Sequence, residues 1–453
     1  MFLKLNYLKF LFYTFPLFMI FPSGYLNAYI LIFIIYSLFF FYLNKIRINL
    51  VTLDYLIILF FLTSVISTLL NLNQIENFNI GGKKFNLEVS AFTKSIFNLR
   101  FFLLYIIVRN ILDKQLINIK VLSILSLTCC VFLSFGIFLQ HLVGFDFFGN
   151  PPFAGRYNSF FEHEAIAGSY LQKFFLISIF FFFLLKKENL KNFFAIPIFI
   201  NIFGLGILLS LDRMPYIIFF FSILILLLFL KKYRIKLFIS IILTALTFQF
   251  FFNNYDIVKN RYQSLTKELE LAKISKLFSN YSSKFLQSLT NSHKNIIKTN
   301  ITDDNLNKTH DNLKGDYLRI YNAAYQVFLK SPLLGTGLKS FLNECKKLQV
   351  SNIKNITCAI HPHNIYLEIL INQGIIGFLL FLLFLLILIK KNFIKIIFSK
   401  ITVEKKILTI FFFTILICEL IPVRSYGSIF QTFNGSIFWF SIAILSSRIH
   451  IKK

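Results

Sequence analysis

Residues 361–389 read His361-Pro-His-Asn-Ile-Tyr-Leu-Glu-Ile-Leu-Ile-Asn-Gln-Gly-Ile-Ile-Gly-Phe-Leu-Leu-Phe-Leu-Leu-Phe-Leu-Leu-Ile-Leu-Ile389. A polar turn with two histidines leads directly into an apolar run long enough to cross a bilayer, which takes about 20 helical residues. The turn also follows the one extended hydrophilic stretch of the chain. Titratable side chains therefore meet a membrane edge here, and such residues call for a functional hypothesis.

The rest of the chain repeats the apolar pattern. Of its 453 residues, 57% are hydrophobic, and the mean hydropathy is +0.70. Apolar runs of span length recur almost throughout, so we predict an all-α membrane protein with about twelve transmembrane helices. The predicted spans are 7–22, 25–43, 51–71, 96–112, 119–141, 166–185, 193–210, 215–230, 236–252, 366–389, 407–423 and 431–447.

The basic residues of the short loops predict the orientation. Twelve spans place both termini on one side, and nearly every short basic loop then lies on that side, as expected for cytoplasmic loops. We attribute most of the net charge of +27 to this orientation, with attraction to anionic lipid or an anionic substrate as the alternative. The expected partner is the lipid bilayer, not nucleic acid.

This topology divides the chain into nine helices (1–252), a large outer loop (253–364) and three further helices (365–453). The first half of the loop, 253–315, is polar with weak periodicity, and its order is left open. The second half predicts a helix over 317–328, capped by Asp316. We expect Leu318, Tyr321, Tyr325 and Phe328 to share its apolar face, Ser331-Pro332 to end it, and Gly335-Thr-Gly337 to form a turn.

Two cysteines, Cys345 and Cys358, fall in the large outer loop. An oxidising exterior permits a disulfide between them, and two free thiols are the equally weighted alternative. Cys129, Cys130 and Cys418 lie within predicted spans and are interpreted as small packing residues.

Many ionisable residues fall at the predicted outer ends of the spans. Each alone fits snorkelling to the interface or a structural ion pair, but the one-sided clustering favours a shared polar site. The set is Arg100, His141, Arg156, His163, Glu164, Asp212, Arg213, His361, His363, Glu368, Glu419 and Arg424.

Three arginines of separate segments suit the binding of a diphosphate. Arg213 lies in a very short outer turn beside Asp212, Arg156 in a second polar loop, and Arg319 on the polar side of the loop helix. The planar guanidinium matches phosphate oxygens with two hydrogen bonds. Together the three predict a cationic clamp, which leaves a histidine to handle protons.

His363 is the candidate general base, because an imidazole titrates near ambient pH. The alternatives are a helix-capping histidine and a metal ligand together with His361. A His-x-His pair without a third good ligand nearby is a weak metal signal. The sequence has no Walker loop, Rossmann glycine pattern or nucleophile elbow, which argues against an ATP-driven pump or a hydrolase.

These residues resemble the O-antigen ligase and polymerase superfamily of bacterial envelope enzymes. The hallmark is His, an amide or Ser, nine residues, then Gly-x-x-Gly, which is met here by His363-Asn364 and Gly374-Ile-Ile-Gly377. Arg213 in a short outer turn and Arg319 before a Tyr…Ala…Pro…Gly-x-Gly pattern also resemble the family. Where the family has a small residue before that first Arg, this chain has Asp212.

The resemblance implies a metal- and cofactor-independent glycosyltransferase of the bacterial inner membrane, with cytoplasmic termini and a periplasmic active site. It would move a glycan from undecaprenyl diphosphate to a hydroxyl of lipid A core, another repeat or another acceptor. His363 would deprotonate the acceptor, and Arg213 and Arg319 would hold the diphosphate. The expected substrate-binding residues are Arg156, Glu164, His361 and Asn364.

A transporter or flippase of lipid-linked glycan is the alternative function. Such a protein predicts charges near the bilayer midplane and interrupted helices in two related halves. This chain concentrates its charges at one face and shows no similarity between its halves. The sequence does not separate a ligase from a polymerase.

Overall fold

The computed structural model describes residues 4–72, 79–80, 83–84, 87–161, 164–185, 190–268, 312–351, 355–399, 401–422 and 427–448. His163, Arg424 and most of 253–315 lie outside this part of the chain. The described residues are almost entirely helical, which confirms the all-α membrane character, and a hairpin pairs Asn79–Ile80 with Lys83–Lys84. The helices are α1 (Leu5–Tyr13), α2 (Phe15–Phe18), α3 (Ser23–Leu43), α4 (Thr52–Leu70), α5 (Leu87–Phe97), α6 (Leu99–Asp113), α7 (Ile119–Val143), α8 (Ala167–Phe183), α9 (Leu190–Leu209), α10 (Arg213–Phe229), α11 (Arg234–Asn254), α12 (Asp256–Glu268), α13 (Asn312–Lys330), α14 (Phe341–Val350), α15 (Ile365–Phe398), α16 (Val403–Glu419) and α17 (Thr432–Ser446).

Six stretches of the described chain are long and apolar enough to cross a membrane: Ser23–Leu43, Thr52–Leu70, Ala91–Asp113, Ile119–Val143, Lys231–Asn254 and Ile365–Phe398. Four shorter apolar helices accompany them, so the number twelve stays a prediction. The expected first span, 7–22, is not one helix but is divided between α1 and α2. The reason is Pro16, the second residue of α2, which has no N–H to donate to the preceding turn.

Helix α15 is broken at Gly374, which has φ 63° and ψ −165°. A β-carbon on Gly374 would lie 2.3 Å from the Leu333 carbonyl oxygen, and one on Gly335 would lie 2.4 Å from the Gln373 nitrogen. The turn that contains Gly335 therefore fits directly into the break. Only glycine permits both this backbone approach and the positive φ at each position.

Backbone hydrogen bonds satisfy the groups that the break exposes. The Thr336 N–H donates to the Ile371 carbonyl (2.7 Å), and the Ile375 N–H donates to the Pro332 carbonyl (2.8 Å). Helix α4 supports the same junction, because Ser67 Oγ donates to the Asn372 carbonyl (2.7 Å). Irregular backbone among membrane helices needs such internal partners. These bonds thus fix the part of α15 that precedes Gly374 in position.

Helices α13 and α14 form a small separate core that also includes Ile371 of α15. Helix α13 ends at Lys330, as predicted, and both Gly335 (φ 76°) and Gly337 (φ 91°) turn the chain.

Two expectations about α13 are wrong. The helix begins at Asn312, so Asp316 lies inside it and is not its cap. Its buried face is also different: Ile320, Ala323, Ala324 and Val327 are buried, whereas Leu318 and Tyr325 are exposed. The two alanines allow the close approach of neighbouring elements that bulky residues prevent.

Candidate functional site

The histidine turn is fixed by Asn364, which caps α15. Its Oδ1 accepts hydrogen bonds from the N–H groups of Tyr366 (2.9 Å) and Leu367 (3.1 Å). Its Nδ2 donates to the Pro422 carbonyl (2.9 Å), beyond the end of α16. The amide of the sequence motif therefore ties the turn to a neighbouring helix. The predicted contact of Asn364 with substrate stays a prediction.

His363 lies on this turn in the left-handed region of backbone space, with φ 53°. Its ring meets that of His361 edge-on at 4.2 Å between centroids and that of Tyr317 at 5.7 Å. Burial, and then the neighbouring His361, lower the pKa of His363 to about 4. The imidazole is therefore neutral at neutral pH, and its pKa departs from the unperturbed value assumed from the sequence.

A disulfide joins Cys345 to Cys358, with their Cα atoms 5.6 Å apart, and this answers the question that the sequence left open. Cys345 is fully buried on α14. Cys358 lies in the irregular segment that leads to His361 and His363. This segment also bonds to α13 through the Thr357 N–H and the Arg319 carbonyl (3.4 Å). The chain before the histidine turn is thus attached to both loop helices.

A second charged group surrounds Asp212, just before α10. Arg156 Nη1 lies 2.8 Å from Asp212 Oδ1, and the Gly168 N–H donates to Oδ2 (3.2 Å). Arg261 on α12 donates its Nε–H to the Leu211 carbonyl (3.2 Å). Burial, and then the charges of Arg156 and Arg213, lower the pKa of Arg261. The structure therefore brings Arg156, Arg213 and Arg261 together around one carboxylate.

Asp212 is almost fully buried, with 5% of the residue exposed. Burial raises the pKa of its carboxyl to about 6, although the charge of Arg156 acts in the opposite direction. The sequence suggested that Asp212 orients Arg213, whereas its described ion pair is with Arg156. Arg261 was missed by the sequence reasoning. Its position on an amphipathic helix that directly follows α11 was the available signal.

The histidine turn and the arginine group lie at the same end of the helix bundle. Helix α8 begins beside Asp212 and carries Lys173 five residues after Gly168, about 7.5 Å along the axis. Lys173 Nζ forms a fully buried ion pair with Glu419 Oε1 at 2.7 Å. Glu419 ends α16, and the next carbonyl, that of Leu420, accepts from Oη of Tyr366, which lies at the start of α15 just after the histidine turn (2.6 Å). Helices α8 and α16 thus connect the two groups.

Lys339 is a further cation near the histidines that the sequence reasoning missed. It has φ 58° and follows the glycine turn that fits into α15. Desolvation, and then the charge of Lys94, lower its pKa, whereas Glu368 acts in the opposite direction. The charge of Lys339 also contributes, after burial, to the lowered pKa of His361. The signal in the sequence was a lysine two residues after the Gly335-Thr-Gly337 turn.

For Arg319 and Glu164, the structure shows no described side-chain contact with either charged group. Arg319 is exposed on α13, and its described hydrogen bond is through its backbone carbonyl. Glu164 is also exposed, and its described bonds are backbone bonds of the turn before α8. Their roles stay predictions. Within the described part of the chain, no group of three or more His, Cys, Asp or Glu side chains has the arrangement of a metal site.

The fold and the charges together define a helical membrane protein with two clusters of ionisable residues, the histidine turn and the arginine group, at one end of its helix bundle. Residues 196–382 match the family model described as "Wzy_C: O-Antigen ligase". The match spans less than half of the chain and includes Arg213, Arg319 and the His363 motif. It supports assignment to the O-antigen ligase and polymerase superfamily, as the motif predicted. No curated protein matches the chain. The family implies a glycosyltransferase-like enzyme of a bacterial membrane, related to lipopolysaccharide synthesis.

Proposed function

We propose that this protein transfers a glycan from undecaprenyl diphosphate to an acceptor hydroxyl at the periplasmic face of the inner membrane. The observation that carries the proposal is a neutral His363 on a rigid turn, at the same end of the bundle as three arginines. A neutral imidazole accepts a proton, and clustered guanidinium groups bind diphosphate. The family match over 196–382 supports this combination.

The reaction needs one proton transfer and one substitution. His363 takes the proton of the acceptor hydroxyl while its oxygen attacks the anomeric carbon of the donor. The bond from that carbon to the diphosphate oxygen breaks, and the undecaprenyl diphosphate leaves with the electron pair. Arg213, assisted by Arg156 and Arg319, stabilises the charge on the leaving group. Arg261 and Lys339 extend the positive field at this end of the molecule.

The Cys345–Cys358 disulfide supports the proposed orientation. Disulfides persist in oxidising compartments such as the periplasm and are rare in the bacterial cytoplasm. Because this disulfide lies beside the histidine turn, we propose that the turn faces the periplasm and both termini the cytoplasm. The acceptor is lipid A core in a ligase, a second lipid-linked repeat in a polymerase, or another hydroxyl.

The test is transfer by the purified protein in detergent from an undecaprenyl-diphosphate glycan to a panel of acceptors, with excess chelator. Wild type is compared with His363→Ala and Arg213→Ala. We expect chelator-insensitive product from wild type and loss in both variants. Full activity in His363→Ala would remove the general-base role. Passage of the intact lipid across liposomes without any product would favour a transporter.

A further inference from the structure

A tight turn beside the arginine group places an apolar and a cationic side chain next to each other. Phe153 and Arg156 exchange both backbone hydrogen bonds, each 3.0 Å long. Ala154 (φ 50°) and Gly155 (φ 69°) between them both have positive φ, as a type I′ turn requires. Side chains of such a directly opposed pair lie on the same face, about 5 Å apart at Cβ. Phe153 therefore lies beside Arg156.

The loop that contains this turn exposes aromatic residues after its helix has ended. Helix α7 is terminated by Gly144 in the left-handed conformation. Beyond it, Phe145 (50%), Phe148 (72%) and Phe153 (41%) are substantially exposed. The ring of Phe147 stacks on that of Phe160 and holds part of this loop against the bundle. The loop thus presents a fixed apolar surface that ends at a cation.

An open groove continues from this turn to the arginine group. It has a volume of about 340 Å³ and is lined by Gly155, Leu211, Ile257, Asn260 and Arg261. Ile257 is 55% exposed on the same helix as Arg261. The groove therefore combines apolar side chains, Leu211 and Ile257, with the charge of Arg261.

We propose that the groove lined by Gly155 and Ile257, together with Phe153 on the adjoining turn, binds the first isoprene units of a polyprenyl diphosphate whose diphosphate lies at Arg156 and Arg261. This inference rests on the proposed function, because it assigns the lipid chain of the donor to a surface. The occupant follows from complementarity: an amphiphile with an anionic head matches cations that adjoin an apolar groove. A free phosphate would contact only the cations, and a neutral lipid would contact only the apolar side chains.

The test is photolabelling of the full-length protein in nanodiscs with a polyprenyl diphosphate that carries a photoreactive group on its first isoprene unit. We expect adducts on residues 144–156 or 256–261, and competition by unlabelled polyprenyl diphosphate. Inorganic diphosphate at the same concentration should compete at least about tenfold less well. Phe153→Ser and Ile257→Ser should each reduce labelling by at least about fivefold. Phe398→Ser, an equally polar change at an exposed phenylalanine of α15, should not.

Unchanged labelling in both groove variants, or adducts confined to other segments, would overturn the inference. Labelling that no competitor reduces would show that the loop only contacts the bilayer, which also contradicts it. Thermal unfolding of each variant checks that the fold is intact. Glycan transfer is measured in the same nanodiscs, so specific labelling without any product would reject the proposed reaction and leave the lipid site standing.

Discussion

Arg156 and Asp212, 56 residues apart in the chain, form an ion pair at 2.8 Å between the turn at residues 153–156 and the start of α10. The carboxylate is nearly buried and lies among three arginines. It therefore limits the positive charge that the group presents to an anionic ligand. Protonation of Asp212 would therefore strengthen the positive electrostatic field of the three arginines.

The affinity of this group for a polyprenyl diphosphate should depend on pH through Asp212. Because the pKa of Asp212 is raised to about 6, the carboxylate gains a proton as the pH falls from 8 to 5. One negative charge is then removed among Arg156, Arg213 and Arg261, and binding should tighten about fivefold to tenfold. Binding in nanodiscs between pH 5 and 8 measures the effect.

The Asp212→Asn variant supplies the comparison. It should bind at pH 8 as tightly as wild type does at pH 5, with little dependence on pH. His141→Gln is the matched control, because the His141 ring contacts Tyr157 next to the group. That variant should keep the wild-type pH dependence. Parallel curves for wild type and Asp212→Asn would contradict the assignment to Asp212.

The pH dependence of transfer should report His363. A base whose pKa is about 4 is already neutral at pH 6, so the rate at saturating substrate should be level between pH 6 and 8. It should fall only as the pH approaches 4. Replacing His363 by Ala should lower the rate by about 10²- to 10⁴-fold. A protonation step near pH 6.5 in the wild-type profile would show that the histidine is not desolvated as described.

Loss of the Cys345–Cys358 disulfide should lower both stability and activity. Cross-linking a loop of this length contributes about 3 kcal/mol in the chain-entropy model, and Cys358 is five residues before His363. A Cys345→Ser/Cys358→Ser protein should unfold at a lower temperature and transfer glycan more slowly. Dithiothreitol should reproduce both effects in wild type and change nothing in the double variant. Equal sensitivity of the two proteins to reductant would count against this role.

Gly374→Ala should disrupt the junction between α15 and the glycine turn. The new methyl group would meet the Leu333 carbonyl oxygen at 2.3 Å, in addition to the cost of φ 63°. We expect a destabilisation of more than about 2 kcal/mol. Gly144→Ala is the control, because Gly144 also has positive φ but has no neighbouring atom within 4 Å. Thermal unfolding of the two variants should therefore differ clearly, and similar values would argue against a steric role.

The helices and the motif could be predicted because their signals are local. Apolar runs identify membrane helices from length alone, and Pro332 with Gly335 and Gly337 indicated a helix end and a turn. The same local reasoning failed for α13. Which face of a helix is buried depends on what packs against it, and the partner α14 and its disulfide could not be placed from the spacing of Leu318 and Tyr325.

The sequence indicated which charged residues are candidates for the site, but not which of them lie next to one another. The sequence named Arg156, Asp212 and Arg213, but pairing across 56 residues is a tertiary property. Arg261 and Lys339 were missed because only the fold brings them to these groups. The sequence also assumed an ordinary pKa for His363, since the extent of its burial is known only once Tyr317 and His361 are in place.

The most direct test of the central claim is the mass of the product formed by wild type and His363→Ala from one defined undecaprenyl-diphosphate glycan and a hydroxyl acceptor. The account predicts an acceptor enlarged by the whole glycan with wild type, free undecaprenyl diphosphate in equal amount, and neither product with the variant. Equal product from both proteins, or release of undecaprenyl diphosphate without a glycosylated acceptor, would contradict it.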